Sequence, residues 1–363
     1  MATEEPVKRT RTCAVMEHHN YLAETDEEYR VNRREIEIFS ATARLRPRTS
    51  VIRIPVVVHV LFHTDEEDLD VSQIESQIEA LNRDYRLRNG DQSDVPEPFQ
   101  ELRADTLIEF ALAVRDPQGN ATTGITRTPT SIEEFPYSQF DRRATEKLDN
   151  MIKHDEFGKE AWPRDDYLNM WTCSIGGGLL GYAQFPGGAA STDGVVINNT
   201  AFGSTGLASP PFDLGRTAVH EVGHFLNLLH IWGDDRGGCS GSDNVHDTPN
   251  QAGANDSRVR KKDFPHITCN NAPHGDMFMN YMDYVDDDTM VMFTKGQLQR
   301  MNAALEGPRK SLGQSNGLTP VDTERLAVGG DSDRSAGAVL AAAMELGDQP
   351  QTVFDGIAWV PIT

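Results

Sequence analysis

Two histidines four residues apart, with a third six residues further on, constrain this chain more than any other feature. The pentapeptide at 220–224 reads HEVGH. Residues four apart share one face of a helix, so His220 and His224 can present two imidazoles to one ion. His230 is too distant to be a helical neighbour and must reach back from a chain that has turned. The pattern predicts a zinc site with an open fourth position, and Glu221 is placed to take a proton from the attacking water.

A helix that merely carries two surface or core histidines is the alternative interpretation, and the third histidine at this spacing weighs against it. Asp213 is a candidate N-cap for that helix. Apolar residues on both sides of the motif predict that the helix is buried. Asn227 stands where the longer motif HExxHxxGxxH has glycine, and asparagine is the next most tolerant residue for a positive φ.

Regular elements are predicted on both sides of this helix. The β-branched run at 54–61 reads as a strand, as do 107–114 and 167–171. Apolar residues at helical spacing between residues 74 and 85 indicate an amphipathic helix. A capping box at Thr294 predicts the start of a final helix.

Several segments together resemble the pappalysin family of metzincin metallopeptidases in its compact microbial form. They are 167–171, 176–186, 220–230, 247–249 and 279–284. The resemblance extends over roughly residues 11 to 312. It implies an α/β, metzincin-type catalytic domain with a twisted mixed sheet, an active-site helix and a loop-rich C-terminal subdomain with a Met-turn. It also implies endopeptidase activity, one catalytic zinc and structural calcium.

The predicted organisation has three parts. Residues 1–53 are interpreted as a pro-segment, and 54–312 as the catalytic domain, with an upper subdomain at 54–229 and a lower one at 230–312. Residues 313–363 shift to Gly, Ser, Asp and Ala and resemble nothing known, so they are treated as a tail of unknown role.

The segment at 279–284 carries the second part of the predicted site. In metzincins a methionine lies beneath the zinc in a tight turn, and Met282 is predicted to be that residue. An ordinary apolar turn is the alternative. Tyr284 would then place a phenol near the metal, able to donate a hydrogen bond to a developing oxyanion.

The loop-rich stretch after His230 yields two further expectations from the resemblance. Cys239 and Cys269 are expected to pair, whereas two free thiols are the alternative. Oxygen ligands from Asp243, Val245 and Thr248 are expected to bind calcium. Acidic, glycine-rich loops are usually solvated turns, which is the alternative here.

Cys13 lies far from the catalytic motif, on the N-terminal arm. A thiolate is an excellent zinc ligand, so Cys13 could occupy the open fourth position and exclude water. Related enzymes are made as zymogens with a cysteine of this kind. A solvent-exposed cysteine on a flexible arm is the alternative. The basic, turn-prone stretch at 44–53 is interpreted as a cleavage zone or as a plain linker.

The segment at 179–185 resembles the sheet edge strand that borders a metzincin cleft. An unpaired edge lets an extended substrate add as a further strand, whereas an internal hairpin strand is the alternative. The predicted substrate-binding residues are Leu179, Gly181, Tyr182 and Ala183. Four positive charges between Arg258 and Lys262 lie in the region that borders the primed-side pocket in relatives, and side chains that point into solvent are the alternative. The basic-residue preference found in parts of the family is therefore not carried over.

Charge and hydropathy restrict the class of partner. A net charge of −22 argues against binding to nucleic acid or to anionic membrane surfaces. The sequence contains no run of about 18 apolar residues, so no membrane span is predicted. The N-terminus has no signal-peptide pattern, yet the family and the expected disulfide favour an extracellular protein. Protein or peptide substrates and a monomer are expected.

These features together predict a secreted-type zinc endopeptidase made as a zymogen. Two other classes stay open: a zinc hydrolase of a non-peptide amide, and a catalytically silent binding module. A deep closed pocket in place of an open cleft would favour the first of these. Loss of the metal-binding histidines or of Glu221 would favour the second, and all four residues are intact.

Overall fold

The computed structural model describes residues 9–235, 237–321, 352–354 and 359–361. Residues 1–320 belong to one compact unit, and residues 321–363 to a second. In the second unit two short strands pair antiparallel. Most of the predicted tail lies outside the described residues. Among the described residues, no helix is both long and apolar enough to cross a membrane.

The first unit contains seven helices and six strands within its described residues. The helices are α1 Val15–Thr25, α2 Glu27–Thr42, α3 Val71–Tyr85, α4 Glu97–Gln100, α5 Ala144–Ile152, α6 Arg216–Phe225 and α7 Lys295–Glu306. The strands are β1 Ile52–Phe62, β2 Ile108–Leu112, β3 Ile125–Pro129, β4 Leu168–Cys173, β5 Gly181–Ala183 and β6 Val195–Asn198. The short strands β7 Thr352–Phe354 and β8 Trp359–Pro361 belong to the second unit.

The six strands form a mixed sheet in the order β2-β1-β4-β6-β5, and β3 pairs with a further stretch of β1. All of these pairs are parallel except β5 with β6, so β5 is an antiparallel edge strand. The predicted α/β fold with a twisted mixed sheet is confirmed. The apolar β1 is buried because side chains cover both of its faces, as parallel strands require.

Alternate residues of the sheet contribute to two cores. Val195 and Ile197 belong to the larger core, which also includes apolar residues of α3, α6 and the Met-turn. Val196 faces the opposite side, where Leu148 and Ile152 of α5 complete a second cluster. This alternation follows from the two-residue period of a strand. It places α6 directly beneath β5 and β6.

The predicted N-cap of the active-site helix is wrong. α6 begins at Arg216 after Gly215, whose φ is +74°, and Asp213 makes no cap. A Cβ on residue 215 would lie 2.7 Å from the Cβ of Ala80 in α3, so only glycine allows this approach. The carboxylate that caps the helix comes from Asp287 instead. It accepts hydrogen bonds from the N–H groups of Leu214 (2.8 Å) and Arg216 (3.3 Å).

Candidate active site

The three motif histidines converge in the interior of the protein. The Nε2 atom of His224 lies 3.0 Å from that of His220 and 3.1 Å from that of His230. Four ligands about 2.1 Å from a tetrahedral zinc ion lie about 3.4 Å from one another. All three imidazoles are buried, and burial lowers the pKa of His220 and His224 well below the usual value. The rings of His220 and His224 are therefore neutral and their lone pairs are available to a cation.

Each histidine is oriented through its other ring nitrogen. The Nδ1 atom of His220 lies 2.7 Å from the carbonyl oxygen of Tyr281, and that of His224 lies 2.7 Å from the carbonyl oxygen of Leu228. The Nδ1 atom of His230 lies 2.8 Å from Oδ1 of Asp234. Such outer partners place the proton on Nδ1 and leave Nε2 free to bind metal. These residues therefore fit a three-histidine zinc site.

Asn227 has a φ of +73°, the left-handed conformation for which the family motif uses glycine. The chain leaves the helix there and returns with His230. The ring of Trp232 stacks on that of His230, with ring centres 4.3 Å apart. Neither Trp232 nor Asp234 was singled out from the sequence, although both lie within four residues of His230.

Met282 is buried beneath α6, close to Gly223. A Cβ on residue 223 would lie 2.5 Å from the sulfur of Met282, so the glycine inside the HEVGH pentapeptide allows this approach. The hydroxyl of Tyr284 lies 3.1 Å from Nε2 of His230 and donates to the carbonyl oxygen of Cys13 at 3.2 Å. Burial raises the pKa of Tyr284 well above its usual range, so the phenol keeps its proton.

Glu221 lies between the histidine cluster and the edge strand β5. Burial raises the pKa of its carboxyl group to about 8. A Cβ on Gly181 would lie 3.1 Å from Cγ of Glu221, so glycine at this position lets the edge strand approach the carboxylate. A chain paired with β5 would therefore pass close to Glu221.

Cys13 completes the cluster. Its sulfur and one nitrogen from each of the three histidines all lie within 4.8 Å of one another, the only such group of potential ligands among the described residues. The Cys13 thiol also donates to Oε2 of Glu221 at 3.3 Å. Burial and the charge of Glu221 raise the pKa of Cys13 well above its usual range. A cation at the cluster would act in the opposite direction and favour the thiolate.

The arm that carries Cys13 runs along β5. The N–H of Leu180 donates to the carbonyl oxygen of Thr12 at 3.2 Å, and the N–H of Ala14 donates to that of Gly181 at 3.2 Å. The side chains of Leu179 and Tyr182 point into the second core, which also contains Ala14 of the arm. The arm thus occupies the sheet edge to which, according to the sequence-based prediction, the substrate would bind.

Arg11, two residues before Cys13, enters a closed pocket next to the Met-turn. Its guanidinium donates to Oδ1 of Asp287 (2.5 Å), Oγ1 of Thr217 (3.0 Å) and the carbonyl oxygen of Val285 (3.3 Å). It lies over the ring of Phe212 at 5.0 Å. Residues two apart in an extended arm share one face, which is the signal that could have pointed to Arg11.

The basic cluster at 258–262 is largely neutralised by its own acidic neighbours. Arg260 pairs with Asp286 at 2.6 Å, and Lys261 pairs with Asp94 at 2.5 Å. Because these cations pair with other carboxylates, Asp287 pairs with Arg11. In the preceding loop, Thr248 donates to Asp243 (2.8 Å) and lies 3.0 Å from the carbonyl oxygen of Val245.

The disulfide is present. Cys239 and Cys269 are bonded, with Cα atoms 5.3 Å apart. The bridge closes a loop of about thirty residues in the segment that follows α6. Cys173 is a buried free thiol in β4.

Comparison with known proteins agrees with this geometry. Residues 151–306 match the family described as pregnancy-associated plasma protein-A. An extracellular metalloprotease of Pyricularia oryzae is 30% identical over 276 residues, which cover 73% of this chain and 78% of the relative. Extracellular metalloprotease 1 of Coccidioides posadasii is 41% identical over 146 residues, 38% of this chain and 48% of that relative. The chain thus spans about half the length of this second relative.

Two solved structures of a Tannerella forsythia protein are also similar. Mature mirolysin in complex with a cleaved peptide is 45% identical, with a TM-score of 0.68, and the match covers 76% of this chain and all of that one. A promirolysin mutant is 41% identical, with a TM-score of 0.73, and the match covers 86% of this chain and all of that one. The chain belongs to the pappalysin family of metzincin metallopeptidases and is a zinc metalloendopeptidase.

Proposed function

We propose that this protein is a secreted zymogen whose active form hydrolyses peptide bonds with Glu221 as general base. The observation that carries the proposal is the meeting of three elements at one point. The histidine cluster, the Glu221 carboxylate and the edge strand β5 adjoin one another, and Cys13 from the N-terminal arm lies among them. Relatives named extracellular metalloproteases support secretion, as does the disulfide.

The residues present fit zinc, which His220, His224 and His230 would hold. When bound, zinc supplies Lewis acidity that lowers the pKa of water and polarises the scissile carbonyl. The Glu221 carboxylate accepts the proton of the attacking water and returns it to the leaving amine. The phenol of Tyr284 keeps its proton and donates a hydrogen bond to the oxyanion.

The substrate would bind as a further strand on β5, through the backbone of Leu180 and Gly181. The N-terminal arm already uses these groups, which supports the assignment. Because the Leu179 and Tyr182 side chains pack into the core, they would hold β5 in position and would not contact the substrate side chains. Ala183 continues the same strand and is buried.

Latency would come from Cys13. With its sulfur at the fourth ligand position, no water could approach the metal and no carbonyl could approach Glu221. Residues 44–51 form an exposed connection between α2 and β1, which supports cleavage within the 44–53 stretch. A cut there would separate Cys13 from the catalytic domain.

The pocket that holds Arg11 would receive a basic side chain of the substrate, next to the scissile bond. Asp287 is buried and its Oδ2 atom is already bound by two backbone N–H groups, so Oδ1 is held in place for a cationic guest. If a neutral side chain entered the pocket, the buried Asp287 carboxylate would have no cationic partner, which costs free energy. The pocket therefore favours Arg over apolar residues.

Calcium would bind the loop at Asp243, Val245 and Thr248. Burial raises the pKa of Asp243 to about 7, and among the residues that the structure describes no cationic side chain is bonded to this carboxylate. A calcium ion would stabilise the charged form and pin the loop to the domain. Thermal unfolding with and without calcium tests this. Asp243→Asn should abolish the calcium-dependent rise in Tm, while Asp235→Asn in the neighbouring turn should preserve it.

Intact-mass spectrometry of the full chain beside Glu221→Ala, both incubated with zinc and calcium, tests the function. We expect only the wild type to lose a fragment that ends within 44–53, and both proteins to bind one zinc ion. Activity of Glu221→Ala comparable to wild type on a protein substrate would refute the assignment of the general base.

The latch has its own test with a matched control. Cys13→Ala should accelerate the loss of the N-terminal fragment and raise early activity on a peptide that contains arginine. Cys173→Ala removes the other free thiol, which is buried in β4, and should leave the time course unchanged. Equal time courses for Cys13→Ala and wild type would exclude the latch.

A further inference from the structure

Asn227, the residue that departs from the family motif, is bonded to the pro-segment. Its side chain is buried. Oδ1 accepts a hydrogen bond of 2.6 Å from Nη1 of Arg33 in α2, and Nδ2 lies 3.3 Å from Oε1 of Glu37 and 3.4 Å from Oγ of Ser40. A glycine here would offer none of these groups. The asparagine therefore links the zinc-binding turn to α2 directly.

A second cation completes this contact from the catalytic domain. Nη2 of Arg300, in α7, donates to both carboxylate oxygens of Glu37 at 2.7 and 2.8 Å, and its Nε donates to the carbonyl oxygen of Asn227 at 2.6 Å. Glu37 thus bridges Arg33 (2.8 Å) and Arg300. Hydrogen bonds between charged groups in a partly desolvated site are the stronger kind.

The same arginine of α2 also covers an aromatic neighbour of the metal site. The guanidinium of Arg33 lies 4.8 Å from the centre of the Phe185 ring and donates to the carbonyl oxygen of Pro186 at 3.2 Å. Phe185 in turn packs edge-on against His224, with ring centres 5.5 Å apart. Through Phe185 and Asn227, α2 is in contact with the immediate surroundings of one zinc ligand.

We propose that Phe185, Asn227 and Arg300 form a docking surface for α2, which keeps the pro-segment bound as an inhibitor after the chain has been cut. The inference rests on the proposed zymogen. A cut within 44–53 leaves Cys13, Arg33 and Glu37 on one fragment, with two attachments to the catalytic domain. When one attachment opens, the other holds the fragment at high effective concentration, so cleavage and activation become separate steps.

The test uses the full chain, in the Glu221→Ala background so that no fragment is digested, cut in the 44–53 stretch by added trypsin. Native mass spectrometry and dilution then measure the rate at which the fragment leaves. We expect Arg33→Met and Glu37→Gln each to accelerate release by about tenfold to a hundredfold. Arg34→Met and Glu35→Gln, on the exposed side of the same helix, are the matched controls and should release the fragment at the parent rate.

The same substitutions in the active protein supply a second readout. Once cut, the parent and the two controls should become active slowly, and Arg33→Met and Glu37→Gln promptly. Release of the parent fragment as fast as from Arg33→Met would overturn the docking surface, while latency of the uncut chain would still support the zymogen. An uncut chain as active as the cut one would instead refute the zymogen.

Discussion

Two regions of the first unit, an upper one at the sheet and a lower one at residues 231–294, are held together in different ways. The upper one, built on the sheet, gains its order from backbone pairing between strands and from alternating apolar faces. Between Ile231 and Thr294 the described residues form no α-helix and no strand, yet many of them are buried. That region is ordered by side chains instead.

Asp283, one residue after the Met-turn methionine, illustrates how the lower region is held. Its carboxylate accepts hydrogen bonds from the backbone N–H groups of Asn255 (2.8 Å) and Tyr284 (2.9 Å), and from the side chains of Gln251 (2.8 Å) and Asn255 (2.9 Å). Burial raises its pKa to about 7 despite these donors. Regular pairing tolerates many substitutions, whereas an irregular region depends on single polar groups. From this difference we expect the upper region to anchor the chemistry and the lower region to govern selectivity.

Removing Asp287 tests this division with the largest expected effect. Asp287→Ala should reduce kcat/KM for substrates with arginine next to the scissile bond by about 10³-fold, because a cation would enter an apolar pocket unpaired. Cleavage before an apolar residue should fall far less. Asp288→Ala, one residue on and mostly exposed, is the control. An equal loss for both classes of substrate would mean that Asp287 supports the fold of α6 rather than selectivity.

The disulfide should stabilise the lower region alone. Replacing Cys239 and Cys269 together by serine should cost about 3–4 kcal/mol in the chain-entropy account of a loop of this size. Hydrogen exchange should quicken between residues 231 and 294 and stay unchanged in β1 and β4. Uniform exchange across both regions would show that they unfold as one unit.

Tyr284 tests whether the lower region also contributes to the chemistry. Tyr284→Phe should lower kcat by about 10²-fold with little change in KM or zinc content, because only the oxyanion interaction is removed. Zinc content is measured on the same sample by atomic absorption. A change in KM without a change in kcat would place Tyr284 in substrate binding instead.

The smallest expected effect concerns the pH dependence with which the pro-segment binds to the rest of the protein. The pro-segment contacts both regions. Burial lowers the pKa of His19 to about 4, next to Arg33, His18, Glu37 and Asp234. The docked imidazole is therefore neutral and the released one protonates near pH 6.5, so acid favours release. Docking is strongest above pH 6.5 and weakens as pH falls towards 4.

Between pH 7.5 and 5 the fragment of the cut protein should bind about 30-fold more weakly through His19 alone. His19→Gln should remove that part of the pH dependence. His63→Gln, at an exposed histidine just beyond β1, should not. An unchanged pH profile for His19→Gln would assign the effect to other groups.

Much of this protein was predictable from local sequence. The proposed zinc ligands His220, His224 and His230 follow from helical spacing and one turn, and the roles proposed for Met282 and Cys13 follow from the resemblance to the family. The strand at 54–61, the helix ending at Tyr85 and the capping box at Thr294 were predicted correctly, because each depends on residues within a few positions. Strand and helix ends differ by one to three residues.

Only the tertiary structure decided how the remote segments combine. Asp287 caps α6 across some seventy residues and binds Arg11 across 276, and Arg33 meets Asn227 across 194. No periodicity connects such positions, since their proximity results from the packing of α2, α6 and the Met-turn around one sheet. Local spacing therefore identified the candidate ligands and the candidate general base, and packing decided which distant side chains surround them.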